Sequence, residues 1–292
     1  EKYPYTDNVG EAWLDKSYTK IEGVFADGEP TDQMRAAFAA GAVGPDIGFF
    51  PGGPFAFSHR VHPEHCADFL RGLSGGAKSD VERAFTAGWG LHVYTDMAIH
   101  PWVEGEVVTL LDSGVMPAIP GLWHMRLEWG VDGRLLSQEG MENLWAPELH
   151  FPSRGDGSSL LGEVGAGFYG GDAGEGLLKS GATATARWLS RIPKILWWGG
   201  HAECRGQRLN PWRAFLFAGL GRKVVGEWLQ HWPYFKDAVA LASPIKPTDE
   251  AWNRVVVLGD KALRGFCDGW QGGFAELGNM DLYRGEVADD QR

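Results

Sequence analysis

His92, Asp96 and His100 stand four residues apart in Leu91-His-Val-Tyr-Thr-Asp-Met-Ala-Ile-His-Pro101, and His124 and Glu128 repeat that interval in Trp123-His-Met-Arg-Leu-Glu-Trp129. A helix turns about 100° per residue, so steps of four stack side chains along one face. Imidazole and carboxylate are the ligands that zinc prefers, and two such faces pressed together would form a site for more than one cation. The competing explanation is nine histidines scattered through 292 residues, each a satisfied core group. An Asp midway between two His on an apolar segment argues against it, because a buried carboxylate is rare unless paired or coordinated.

Composition narrows the remaining choices. A formal net charge of −11 argues against a nucleic-acid partner, since phosphate backbones are held by Lys and Arg fields. Cys66, Cys204 and Cys267 are an odd number at wide spacing, which allows at most one bridge and forms no CxxC metal motif. No apolar run reaches the roughly 20 uncharged residues of a membrane-spanning helix, so the chain reads as soluble. The first residues, Glu1 to Tyr5, show neither a signal-peptide pattern nor an initiator Met, so a processed or trimmed chain is expected and the compartment stays open. Fourteen Trp and fifteen Phe imply a core of large rings, with a wall for an apolar or cationic ligand as the lesser option.

The elements that must position these residues are helices, with Gly and Pro marking the loops. Thr31 to Ala40 predicts a capped helix that stops near Gly41, and Pro63 to Leu73 predicts another. Ser79-Asp-Val-Glu82 is a capping box opening the long helix of the first ligand stripe. Within it Gly88, one turn before His92, permits a close helix contact. Pro101 directly after His100 predicts an end or kink there, with Trp102 to Leu111 starting afresh. Ile119-Pro-Gly-Leu-Trp123 leads into the second ligand helix, and helical spacing follows over Ala173 to Trp198, Pro211 to Trp232 and Pro247 to Leu263. Glu148 to Gly171, Gly-rich and poorly periodic, reads as a loop bordering the site. No repeat or linker forces a split, so an all-α fold in one domain over 1–292 is expected, with a ligand core at 41–129 and a helical scaffold at 172–265.

The series Gly-Pro-Asp46, a following His, Gly-Trp-Gly-Leu-His92, Asp96, His100-Pro, then His124 and Glu128 resembles the zinc-dependent phospholipases C, an all-α group of metal-dependent phosphodiesterases. The likeness spans roughly Gly41 to Trp129. It implies that Asp46, His62, His92 and Asp96 hold one zinc and that His100, His124 and Glu128 hold a second. It also implies that Asp46 doubles as a candidate catalytic base, and Asp96, flanked by two His, is suited to bridge cations. Ser58-His-Arg-Val-His-Pro-Glu-His65 offers His59 and His65 as alternatives to His62. The secreted members hold a third zinc with an N-terminal Trp and an early His, whereas here residue 1 is Glu and no His precedes His59. A third zinc of the usual form is therefore not expected, unless His59, His65 or Glu104 completes a different one.

Other features carry less. Trp197-Trp-Gly-Gly-His201-Ala-Glu-Cys204 lacks a partner pair for a metal, and Gly165-Ala-Gly-Phe-Tyr-Gly-Gly171 lacks the Lys-Ser/Thr ending of a phosphate loop and reads as flexible loop. Gly219-Leu-Gly221 is a packing or breaking signal in a helix. Phe49, Phe50, Phe55 and Phe57 after Asp46 either line a pocket mouth or fill the core. The expected function is a zinc-dependent phosphoester hydrolase, in which zinc-activated water attacks a phosphodiester. Its substrate would be a small-molecule or lipid phosphoester, with no nucleic acid, no transmembrane segment, and transient contact with a membrane surface left open. Two alternatives stand beside it: the same metal scaffold turned to another small-molecule (biosynthetic) reaction, and a non-catalytic, metal-stabilised binding protein.

Overall fold

The computed structural model describes residues 30–50, 52–115, 120–138, 148–189 and 245–287. Eight α-helices dominate these residues: α1 (Asp32–Ala42), α2 (Phe55–Val61), α3 (Cys66–Gly76), α4 (Asp80–Asp112), α5 (Pro120–Gln138), α6 (Leu160–Tyr169), α7 (Glu175–Leu189) and α8 (Asp249–Gln271). Short 3-10 turns lie at Pro45–Gly48 and Gly170–Ala173, and one antiparallel hairpin pairs β1 (Met280–Asp281) with β2 (Glu286–Val287). Among the described residues the protein is all-α apart from that hairpin. Its described residues fall into two compact units, one within 11–101, 147–188 and 257–292, the other within 102–146 and 189–256.

In the first unit the capping signals act as their chemistry demands. Thr31 lends its hydroxyl oxygen to the amide of Met34 and opens α1. Ser79 does the same for the amide of Glu82 at the start of α4. The Glu82 carboxylate departs from the capping-box expectation: it accepts from the Lys78 amide, one residue further back, and from Arg154. The core is a cluster of rings, in which Trp89 lies 5.2 Å from Phe69, 6.0 Å from Phe85 and 6.3 Å from Phe57, centroid to centroid. Such edge and tilted contacts suit the ring quadrupole as well as burial. Phe266 and Phe274 add to it from the C-terminal side.

Close approach of α1 and α4 depends on two glycines. A Cβ on Gly88 would lie 2.0 Å from the Phe38 carbonyl oxygen, and one on Gly41 would lie 1.9 Å from that of Phe85. The two backbones thus touch, which fulfils the expectation for Gly88 and brings the end of α1 beside the ligand stripe. In the second unit, the buried Arg134 of α5 donates to the carbonyls of Pro247 and Thr248 and to Asp249, and lies over the Trp252 ring at 5.0 Å. Thr248 caps α8 through the Ala251 amide.

Four local expectations need correction. The helix after Pro63 begins only at Cys66 and runs to Gly76, because Pro63 to His65 form a turn that ends with His65 in a left-handed conformation (φ 57°). Pro101 does not end the ligand helix, which continues to Asp112. Proline removes one amide, so a helix with enough packing elsewhere survives it at the cost of one hydrogen bond. The stretch Glu148 to Gly171 is not all loop: Leu160–Tyr169 is helical, opened by the Ser159 hydroxyl accepting from the Gly162 amide, and the expected flexible Gly-rich loop is its last turns. Two of its glycines serve close packing, since a Cβ on Gly162 would meet the Glu175 carboxylate and one on Gly165 would lie 2.7 Å from Ala173 Cβ. Finally, α8 extends well past Leu263, to Gln271. Pro211 to Trp232, the Trp197–Cys204 motif, Gly219-Leu-Gly221 and the end of Ala173 to Trp198 lie outside the described residues, as does Cys204. Cys66 is buried and Cys267 half-buried.

Candidate metal centre

In the first unit, two short elements bring candidate ligands to Asp96 near the middle of α4. The 3-10 turn Pro45–Gly48 presents Asp46, and His62 caps the C-terminus of α2. These two pieces are stitched by the Ser58 hydroxyl, which accepts from the Gly48 amide at 2.7 Å in the buried interior. His92 and His100 flank Asp96 one turn before and one turn after.

The rings converge on the carboxylate through one face. His92 Nε2 is 3.0 Å from Asp96 Oδ2, His62 Nε2 is 3.7 Å from the same oxygen, and His100 Nε2 is 3.6 Å from Asp96 Oδ1. His62 Nε2 also approaches Asp46 Oδ1 at 3.2 Å, and Asp46, His62 and His92 offer ligand atoms all within 4.8 Å of one another. Behind each ring the other nitrogen is committed: His62 Nδ1 donates to the Ser58 carbonyl (2.7 Å), His92 Nδ1 to that of Ala42 (2.9 Å) and His100 Nδ1 to that of Leu282 (2.6 Å). A carbonyl can only accept, so each Nδ1 carries a proton and each ring turns its Nε2 toward Asp96. His62 and Asp96 are buried, whereas the Asp46 side chain keeps 39% of its surface.

The electrostatics show how tightly these groups are coupled. Burial pushes the Asp96 carboxyl up, but the charges of His100, His92 and His62 outweigh it and bring it down to about 2. Burial likewise pushes His92 down, yet the Asp96 and Asp46 carboxylates override it and raise it to about 10. Even so, His92 Nε2 and Asp96 Oδ2 are buried without a hydrogen bond of acceptable geometry, despite lying 3.0 Å apart. An imidazole nitrogen and a carboxylate oxygen, both buried without a hydrogen-bond partner and beside further histidine and carboxylate groups, are ligand atoms that a divalent cation satisfies.

The second unit holds His124, one turn before Glu128 on α5. Its Nε2 is 3.0 Å from Glu128 Oε1, and its Nδ1 donates to Glu104 Oε1 at 2.7 Å. Burial lowers His124, but Glu128 and Glu104 together raise it to about 10. Glu104 thus stands behind the ring, in the carboxylate-histidine arrangement that fixes a ligand's tautomer.

Of the three neighbouring histidines, His62 alone reaches Asp46 and Asp96. His59 is exposed and packs its ring near Phe55 and Tyr283 (5.6 and 6.4 Å), while His65 lies 5.8 Å from Phe168. The phenylalanines divide: Phe57 is fully buried core, whereas Phe49 sits 5.3 Å from the His62 ring and 5.9 Å from Phe55, which is 59% exposed. Sequence reading missed the backbone partners at Ala42, Ser58 and Leu282 and the ring of Tyr283, which lies parallel to His62 at 5.0 Å. Carbonyls have no sequence signature, and Tyr283 is nearly two hundred residues from the ligand helix.

Fold and site together define an all-α protein built around a histidine-carboxylate centre suited to a divalent metal. Residues 26–160 match the family model described as zinc dependent phospholipase C, so this N-terminal segment bears out the resemblance read from its motifs. No curated protein and no solved structure matches the chain.

Proposed function

We propose that the protein is a zinc-dependent phosphoester hydrolase acting on a phosphodiester, with a lipid phosphoester as the favoured substrate class. The observation that supports this most is the set of three imidazoles locked through Nδ1 onto carbonyls and turned through Nε2 toward one buried carboxylate. Asp46, His62, His92 and Asp96 would hold one zinc, and His100, His124 and Glu128, by the family resemblance, a second. Zinc, when bound, supplies Lewis-acid chemistry, stabilising negative charge on a phosphoryl oxygen and making water acidic enough to deprotonate near neutral pH.

The chain's own groups divide the remaining work. Asp46, the most accessible carboxylate of the first centre, is placed to orient the attacking water and accept its proton. Asp96, deep on α4, holds the histidines in register and stays ionised. Phe49 and Phe55 put apolar surface beside the His62 ring, where the organic part of an amphiphilic phosphoester would rest. No helix among the described residues is long and apolar enough to cross a membrane.

The test compares metal-stripped and zinc-reconstituted protein on short-chain phospholipid micelles and on a water-soluble phosphodiester, measuring released phosphorylated head group. Release should vanish with chelator and return with zinc. Zinc bound in stoichiometric amount without turnover on either substrate would remove the hydrolase reading and leave another reaction or a binding role.

A further inference from the structure

The hairpin that ends the described chain lies outside the segment matched to the family, yet it touches the metal ligands at three points. The Leu282 amide donates to the His62 carbonyl (2.9 Å), and the Leu282 carbonyl accepts from His100 Nδ1 (2.6 Å). One buried residue therefore ties ligands from α2 and α4 together. Its neighbour Tyr283 lays its ring parallel to both imidazoles, 15° from His62 at 5.0 Å and 3° from His100 at 6.4 Å.

The turn that presents this pair is itself over-determined. Asp281 accepts from the Tyr283 amide through its side chain and from the Arg284 and Gly285 amides through its carbonyl. The Met280 amide donates to Cys66 Sγ, and Asn279 binds the first amides of α3 (Ala67 and Asp68) and the Asp68 carboxylate. Gly285, at φ +65°, lets the chain close against α4; a Cβ there would lie 2.3 Å from Pro101 Cγ, next to His100.

We propose that Leu282 and Tyr283 form a positioning strap for the metal centre, with Tyr283 the positioning residue that fixes the ring planes of His62 and His100 before an ion arrives. Immobilised ligand rings lose less freedom on binding, so the strap raises metal affinity without contributing a ligand. This rests on the metal reading above.

The test uses the full chain and three variants, Tyr283→Phe, Tyr283→Leu and Tyr283→Ala, beside Asp96→Asn. Zn2+ affinity is measured by chelator competition, ligand geometry by the visible absorption of the Co2+-substituted protein, and folding by thermal melts of the metal-free forms. Tyr283→Phe should keep wild-type affinity and spectrum, while Tyr283→Leu and Tyr283→Ala should lose about 10- to 100-fold in affinity, the range for partners behind metal ligands, and show an altered Co2+ band. If Tyr283→Ala fails to fold, the Leu and Phe variants carry the comparison. Unchanged affinity and spectrum in Tyr283→Leu, with Asp96→Asn impaired, would overturn the strap and leave the metal centre standing. Unchanged metal uptake in Asp96→Asn as well would sink both.

Discussion

Asp96 shows how a single carboxylate can organise a site. It sits buried among three imidazoles, and its ionised form persists only because they offset the loss of water. Asp96→Asn preserves shape but removes the charge, so metal content should fall by at least one ion and hydrolysis should drop by orders of magnitude. Elemental analysis of the purified variant checks this. Retention of the full metal complement would show that Asp96 is not a ligand. Glu104 and the carbonyls of Ala42, Ser58 and Leu282 make the complementary point: each holds a ring by its far nitrogen, and with it the tautomer that the near nitrogen needs.

Among the elements, α4 does most to build the centre. It carries His92, Asp96 and His100 on one stripe, and the glycine at 88 lets it lie against α1 closely enough for the Ala42 carbonyl to reach His92. Gly88→Ala should force the helices apart and cost about 1–3 kcal/mol, the usual penalty of overpacking. Gly105→Ala on the same helix meets nothing within 4 Å among the described residues, and should instead stabilise by about 0.5–1 kcal/mol through helix propensity. Urea denaturation of the two variants distinguishes these signs. Equal effects would mean that the close approach at Gly88 has no energetic weight.

At the scale of the whole molecule, metal and proton compete for the same nitrogens. In the metal-free protein His92 is raised from its ordinary value near 6.5 to about 10, so its ion pair with Asp96 stabilises the fold fully below about pH 6.5. That contribution fades as pH rises toward about 10. A divalent cation takes over the role of the proton and needs the neutral ring, so its own binding strengthens over the same interval. The rise in melting temperature produced by zinc should therefore be larger at pH 9 than at pH 6, measured by scanning calorimetry with and without chelator. A zinc effect independent of pH would argue that the metal does not displace the His92 proton.

The helical class, the caps at Thr31 and Ser79, the tight contact at Gly88 and the family resemblance of the N-terminal segment were legible in the sequence. Each is a local matter of side-chain period, hydroxyl placement or a missing Cβ. The family resemblance named His62 with His59 and His65 as alternatives, and the tertiary structure sets His62 beside Asp46, because the phase of α2 and the turn after it point the three rings in different directions. Tertiary structure also decided the survival of α4 through Pro101, because packing along a long helix outweighs one lost hydrogen bond. And it placed Tyr283 and the Leu282 carbonyl against the ligands, a long-range closure whose carbonyl partners no side-chain pattern encodes.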